Sequence, residues 1–124
     1  MADNDQRASK QFRITRRSDI DRVFTHGKRA NDGVLTLIVL PNALNFSRLG
    51  VAVSMRHGKA VRRNRVKRLC REAFRLIRSQ LPSGYDYMIL PRAGATLTLV
   101  SIQSSIRILA SRLIRQTGVK DASP

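Results

Sequence analysis

Hydrophobic positions along the chain fall into two periods. Ile20, Val23 and Phe24 recur at i, i+3 and i+4, the stripe of a short helix. Ser18 stands where an N-cap would, with Asp21 three residues on as an imperfect capping box, and Gly27 supplies a stop. The pattern predicts a helix over about 18–26. Val34 to Leu40 is aliphatic and β-branched, interrupted by Thr36 and ended by Pro41, as a buried strand would be. After a turn over 41–45, Arg48 to Ser54 alternates. Leu49, Val51 and Val53 point one way and Gly50, Ala52 and Ser54 the other, so a half-buried strand is expected with a small-residue face that leaves room for something to approach.

The longest regular segment runs over about 60–80. Val66, Leu69, Cys70, Ala73, Ile77 and Leu81 share one sector at 100° per residue, while Asn64, Arg68, Arg71, Arg75 and Arg78 lie opposite. Pro82-Ser83-Gly84 breaks this helix. Tyr85 to Leu90 reads as a strand stopped by Pro91, and 91–95 as a loop. Ile102, Ile106, Leu109 and Leu113, spaced 4, 3 and 4, predict a closing helix over about 99–116. No repeat or interdomain linker interrupts the series. Helices packed against a sheet follow, and the strand–helix–strand unit over 48–90 invites parallel pairing through a crossover.

Charge changes this picture more than composition does. A chain of 124 residues favours one domain. It carries 24 Lys and Arg against 8 Asp and Glu, a net charge of +16, and the basic residues are mostly Arg. The planar guanidinium fork matches phosphate bidentately and stacks on bases, and such self-repulsion weakens a compact state unless a polyanion binds. Cys70 is the one cysteine, which excludes an intramolecular disulfide. No apolar run approaches the ~18 residues of a membrane span, and Met1 to Asp5 carries acids where a secretory signal would be apolar. The expected location is the cytoplasm.

Arg56 to Arg78 concentrates the signal, with ten basic residues against one acid, Glu72. A merely solvated helix face would mix signs to gain i, i+4 pairs. A membrane-surface helix would show an aromatic belt on an apolar face not needed for a core. A DNA-recognition helix would want a helix-turn-helix partner rather than flanking strands. RNA fits best.

The run from Arg48 to Arg75 closely resembles the signature of the ribonuclease P protein component family. Its hallmark here is Arg63-Asn64-Arg65 followed by Lys67-Arg68, introduced by Gly58-Lys59-Ala60-Val61. Asp19, Val23-Phe24 and Gly27-Lys28-Arg29 resemble the family's first helix and its exit. The resemblance spans about 13–116, which makes 1–12 a flexible N-terminal segment and 117–124 a polar tail. It implies a single α+β domain in the order α-β-β-β-α-β-α, with a four-stranded sheet, helices packed on it and a left-handed β-α-β crossover. That order needs one further strand near Lys28 to Asn31.

The resemblance also implies a function: an auxiliary subunit, one per catalytic RNA, that helps remove the 5′ leader from precursor tRNA and broadens the ribozyme's substrate range. Arg56, Lys59, Arg62, Arg63, Asn64, Arg65, Lys67, Arg68 and Arg71 would contact the catalytic RNA. A cleft between the first helix and the sheet would hold the single-stranded leader through Arg13, Arg17, Ile20, Phe24 and Lys28. Ile20 stands where the family often has Phe, and Met55 where it often has Lys. Membrane and DNA are not implied as partners.

No protein active site is expected. His26 and His57 are the one conceivable acid–base pair, and nothing in the sequence brings them together. Cys70 lies on the apolar sector of its helix, and no Cys/His/Asp spacing suits zinc. Asp19 and Asp21 suit a helix start. Magnesium is expected on the RNA, with no cofactor bound by the protein alone. The alternatives are a structural RNA-binding protein, such as a ribosomal one, and an autonomous nuclease.

Overall fold

A computed structural model describes residues 11–116. Helix α1 spans Arg17–His26, β1 Lys28–Asn31, β2 Leu35–Pro41, β3 Arg48–Val51, α2 Ala60–Ile77, β4 Tyr85–Pro91 and α3 Leu99–Gln116. The sheet order is β1-β2-β4-β3. β1 and β4 pair antiparallel with β2, whereas β3 runs parallel to β4, with α2 as the crossover. This is the expected element order, including the strand at 28–31. The flexible segment and the polar tail lie outside the described residues, apart from Gln11 and Phe12.

Period-two alternation sorts the strands between two cores. Leu35, Leu37 and Val39 of β2, Tyr85, Tyr87 and Ile89 of β4 and Leu49 of β3 face α2 and α3. They pack there with Cys70, Ala73, Phe74 and Ile77 and with Ile102, Ile106, Leu109 and Leu113. The opposite face carries α1 over a smaller core of Ile14, Val23, Ile38 and Met88. Among the described residues the layers are thus one helix, a mixed sheet, and two helices.

Several boundaries differ from expectation. α1 begins at Arg17, and Ser18 lies within it. The Ile20 amide donates to the Arg16 carbonyl at 3.0 Å, and Arg16 is an extended N-cap with no side-chain bond. Tertiary placement sets this start, because the chain has just left the sheet edge, where the Ile14 amide donates to the Leu49 carbonyl. Gly27 ends the helix without a left-handed turn. Its requirement is space, since a Cβ there would stand 2.5 Å from the Ile38 side chain and from the Val23 carbonyl. α2 stops at Ile77, and 78–80 tighten into a 3-10 turn.

β3 is four residues long rather than seven. Beyond Val51 only the Ala52 amide keeps a bond, to the Ile89 carbonyl, before the chain turns into a 3-10 turn over Met55–His57. On its outer side β3 meets Phe12–Ile14, which forms a short parallel bridge with Leu49. The room expected beside Gly50 is filled from within the sheet: a Cβ there would lie 2.6 Å from the Met88 methyl.

Candidate nucleic-acid interface

Gly58, with φ of 110°, turns the chain from the 3-10 turn into α2. Lys59 caps the helix in an extended conformation without a side-chain bond, and the first turn holds no acid. The apolar sector then fixes the orientation. Cys70, Ala73, Phe74 and Ile77 are buried, Val66 and Leu69 half-buried, so the cations must take the remaining arc. Burial pushes the Cys70 thiol up to about 12, in keeping with a core side chain.

All nine residues assigned by resemblance to the catalytic RNA sit together. Arg56 leaves the 3-10 turn, Lys59 caps α2, and Arg62, Asn64, Arg65 and Arg68 are exposed along it. Arg63, Lys67 and Arg71 are half-buried and spaced four apart on one flank. Arg71 lies near Arg13 of the edge segment, and burial together with that like charge pulls its guanidinium below the ordinary arginine range. A pair of cations held this way is relieved by an anion. Among the described residues, none of the eight cations from Arg56 to Arg71 forms a salt bridge. Glu72 is occupied by Arg75 at 2.7 Å, which holds its carboxyl below the usual range. Arg78 stacks on the Phe12 ring at 3.7 Å.

The α1 face is built differently. Arg48 of β3 grips Asp86 of β4 with two bonds, at 2.9 and 2.7 Å, and reaches Asp19 of α1 at 3.3 Å. Asp86 is also held by the Asn42 side-chain amide at 3.0 Å. These partners, Asp86 foremost, raise the Arg48 guanidinium further above its ordinary value. Arg22 completes the network at 2.9 Å from Asp19. Asp19 therefore clips α1 to the sheet as well as suiting the helix start. Val23 is the one α1 side chain in the small core that is fully buried, worth ~1.5–3 kcal/mol. The clip thus shares the work of docking the helix.

The five residues assigned to the leader are only partly brought together. Ile20 and Phe24 are half-buried on the sheet side of α1, beside half-buried Leu40, Ala52 and Leu90. Together these form an apolar lip. Arg17 is exposed, 3.8 Å from Asp21. Arg13 is placed away from the lip, at the β3 edge near Arg71. Lys28 pairs with Val39 and so takes the α2–α3 face of the sheet, whereas Arg29 pairs with Ile38 on the α1 face. Arg29 also reaches the Phe24 carbonyl at 3.4 Å. It is the basic residue that sequence reasoning missed at this lip, and counting strand alternation from Gly27 was the available signal.

His26 ends α1, exposed, while His57 is buried beneath α2 with Nε2–H donating to the Pro91 carbonyl at 2.9 Å. The two belong to opposite faces. Among the described residues no group of three His, Cys, Asp or Glu side chains is placed to hold a metal, and no helix is long and apolar enough to cross a membrane.

The family model described as Ribonuclease P matches residues 8–114. The Ribonuclease P protein component of Clostridioides difficile is 39% identical over 97 residues, covering 77% of this chain and 85% of that protein. The component of Clostridium kluyveri is 35% identical over 111 residues, covering 87% and 96%. Among solved structures, the RNase P protein from Thermotoga maritima superposes with a TM-score of 0.72 at 30% identity, over 81% of this chain and 96% of that one. A Staphylococcus aureus RNase P protein mutant with defective mRNA degradation activity gives 0.72 at 26% identity, over 89% and 91%. With its element order, its arginine ridge and nearly its whole described length accounted for, this chain belongs to the ribonuclease P protein family.

Proposed function

We propose that this chain is the protein subunit of ribonuclease P, binding the catalytic RNA through α2 and the 5′ leader of precursor tRNA across the α1 face. One observation carries the reading: eight cations from Arg56 to Arg71 stand along one helix and its approach without a salt bridge among the described residues. Like charges at helical spacing destabilise a helix, and a polyphosphate removes that cost while releasing its own counterions. Such contacts fix register without reading sequence.

The protein's work is then positioning. Its charge lowers repulsion between two RNAs, and the lip of Ile20, Phe24, Leu40, Ala52 and Leu90 offers apolar surface to leader bases while Arg29 and Arg17 follow the backbone. Hydrolysis of the leader phosphodiester is assigned to the RNA, with magnesium on RNA phosphates. Among the described residues, Asp19, Asp86 and Glu72 are each occupied by arginine, and no three His, Cys, Asp or Glu side chains gather to hold a metal.

Reconstitution with the catalytic RNA of the same organism tests this. The holoenzyme should bind precursor tRNA more tightly than the same substrate with its leader trimmed away. Equal binding would remove the leader role and leave a structural RNA-binding protein. Cleavage at the mature 5′ end by the protein without RNA would mean an autonomous nuclease instead.

A further inference from the structure

A pocket of about 360 Å³ opens at the foot of α2, on the flank away from Arg13. Arg56 enters it from the 3-10 turn, and Arg62 and Arg65 from the first turns of the helix. Its apolar wall is Val66 and Leu69 of α2 with Leu97 of the β4–α3 loop. No acid lines it, and the three guanidinium groups have no ion pair among the described residues.

Both walls are held in place before any ligand arrives. The buried His57 ties the 3-10 turn to the last residue of β4 through the Pro91 carbonyl. The loop is fixed at one end by the Arg92 amide on the Val34 carbonyl at 2.9 Å. At its other end Thr98 and Ser101 cap α3 reciprocally, each amide donating to the other's hydroxyl at 3.0 Å.

From this combination we infer that the pocket receives one unpaired nucleotide of the partner RNA, its phosphate on the arginines and its base against Val66, Leu69 and Leu97. A site for phosphate alone would not need an aliphatic wall, and a gap in an apolar core would not gather three arginines. A duplex keeps its base faces stacked inside and offers backbone and groove edges, whereas a splayed nucleotide presents a phosphate and an apolar base face together. Guanidinium planes supply both the phosphate fork and a stacking surface in the absence of an aromatic side chain. The inference rests on α2 being the RNA-binding ridge and adds a shape requirement to it: the RNA must place a bulged or looped residue beside the ridge.

Titrating the full chain with adenosine 5′-monophosphate, followed by methyl NMR, tests the pocket directly. Val66, Leu69 and Leu97 methyl signals should shift and saturate with the mononucleotide. They should not do so with inorganic phosphate at matched ionic strength. Equal shifts with phosphate alone, or no saturating shift, overturn the inference. Leu97→Ala, which removes no charge, should weaken binding of the ribonuclease P RNA roughly ten-fold, toward the low end of what one base contact contributes, with the salt slope unchanged. It should also restore chemical reactivity at one unpaired nucleotide of that RNA. If Leu97→Ala binds as the parent does, the pocket reading fails while the ridge stands. If the parent chain does not bind that RNA, the ridge itself fails.

Discussion

Arg48 and Arg68 carry the same group, yet one is sealed against the sheet by two carboxylates and the other stands in solvent with none among the described residues. The contrast holds for the faces they belong to. Around α1, Arg17, Arg22 and Arg48 each meet an acid, and the Arg22–Asp19–Arg48–Asp86 network joins α1, β3 and β4. Along the first three turns of α2 no acid appears at all. Arginine on the first face holds parts of the protein to one another. On the second it makes the folded chain pay a repulsion that only an outside anion removes. Number of cations would not separate an internal clip such as Arg48 from the open ridge of α2 here, but the presence of buried counter-charges does.

The largest effect expected from this difference lies in salt. With ~6–10 phosphate contacts, binding of the catalytic RNA should fall ~10³–10⁵-fold between about 50 and 200 mM salt, measured by filter binding. A shallow dependence would make the α2 cations a solvated surface after all. Next is Arg48→Ala, which leaves Asp86 buried without its counter-ion and should cost ~3–5 kcal/mol of stability. Calorimetry should show a drop in Tm, whereas Arg68→Ala should leave Tm nearly unchanged. If the two variants melt alike, the distinction between paired and unpaired faces collapses.

Phe24→Ala comes third. Loss of one stacking platform should weaken leader-dependent substrate binding by ~1–3 kcal/mol without altering affinity for the catalytic RNA. A collapse of thermal stability instead would make Phe24 a core residue. Arg68→Ala or Arg65→Ala should lower the salt slope for the catalytic RNA by about one. The smallest effect belongs to Glu72→Gln, which deletes the single acid of the ridge and should steepen that slope slightly. Because Arg75 holds the Glu72 carboxyl below its ordinary range, the acid stays ionised at every pH above that range. Ridge charge, and with it RNA affinity, should therefore be flat through neutral pH and rise only when acid protonates Glu72.

The sequence-legible parts of the molecule are those where one periodicity acts over many residues. α2 and α3 declare their buried faces through positions such as Cys70, Ala73, Ile102 and Ile106, and every aliphatic residue assigned inward on α3 is buried. The ridge is legible for the same reason, since the arc opposite a buried stripe must be solvent. β1 was not: Lys28-Arg29-Ala30-Asn31 has no apolar alternation because it is an edge strand, and only resemblance located it. The same weakness misassigned Lys28 and hid Arg29, as a one-residue error in register exchanges faces. Arg48–Asp86 was invisible because its partners lie 38 residues apart, and the end of β3 because it depends on what pairs beside it. Phe74 was missed on α2, where it extends the buried stripe to meet Tyr87 at 5.5 Å between ring centres.

The bridge between Arg13 and Leu49 has a consequence for the chain before it meets any RNA. A sheet that ends in bare amides and carbonyls is a template for another copy, and stacking of copies is how β-rich proteins are lost to aggregation. Phe12 to Ile14 seals that end with the protein's own backbone, while the far end is short and carries Lys28 and Arg29, which repel their equivalents on a second molecule. Neither end of the sheet therefore offers a second copy a long, bare and uncharged strand on which to add.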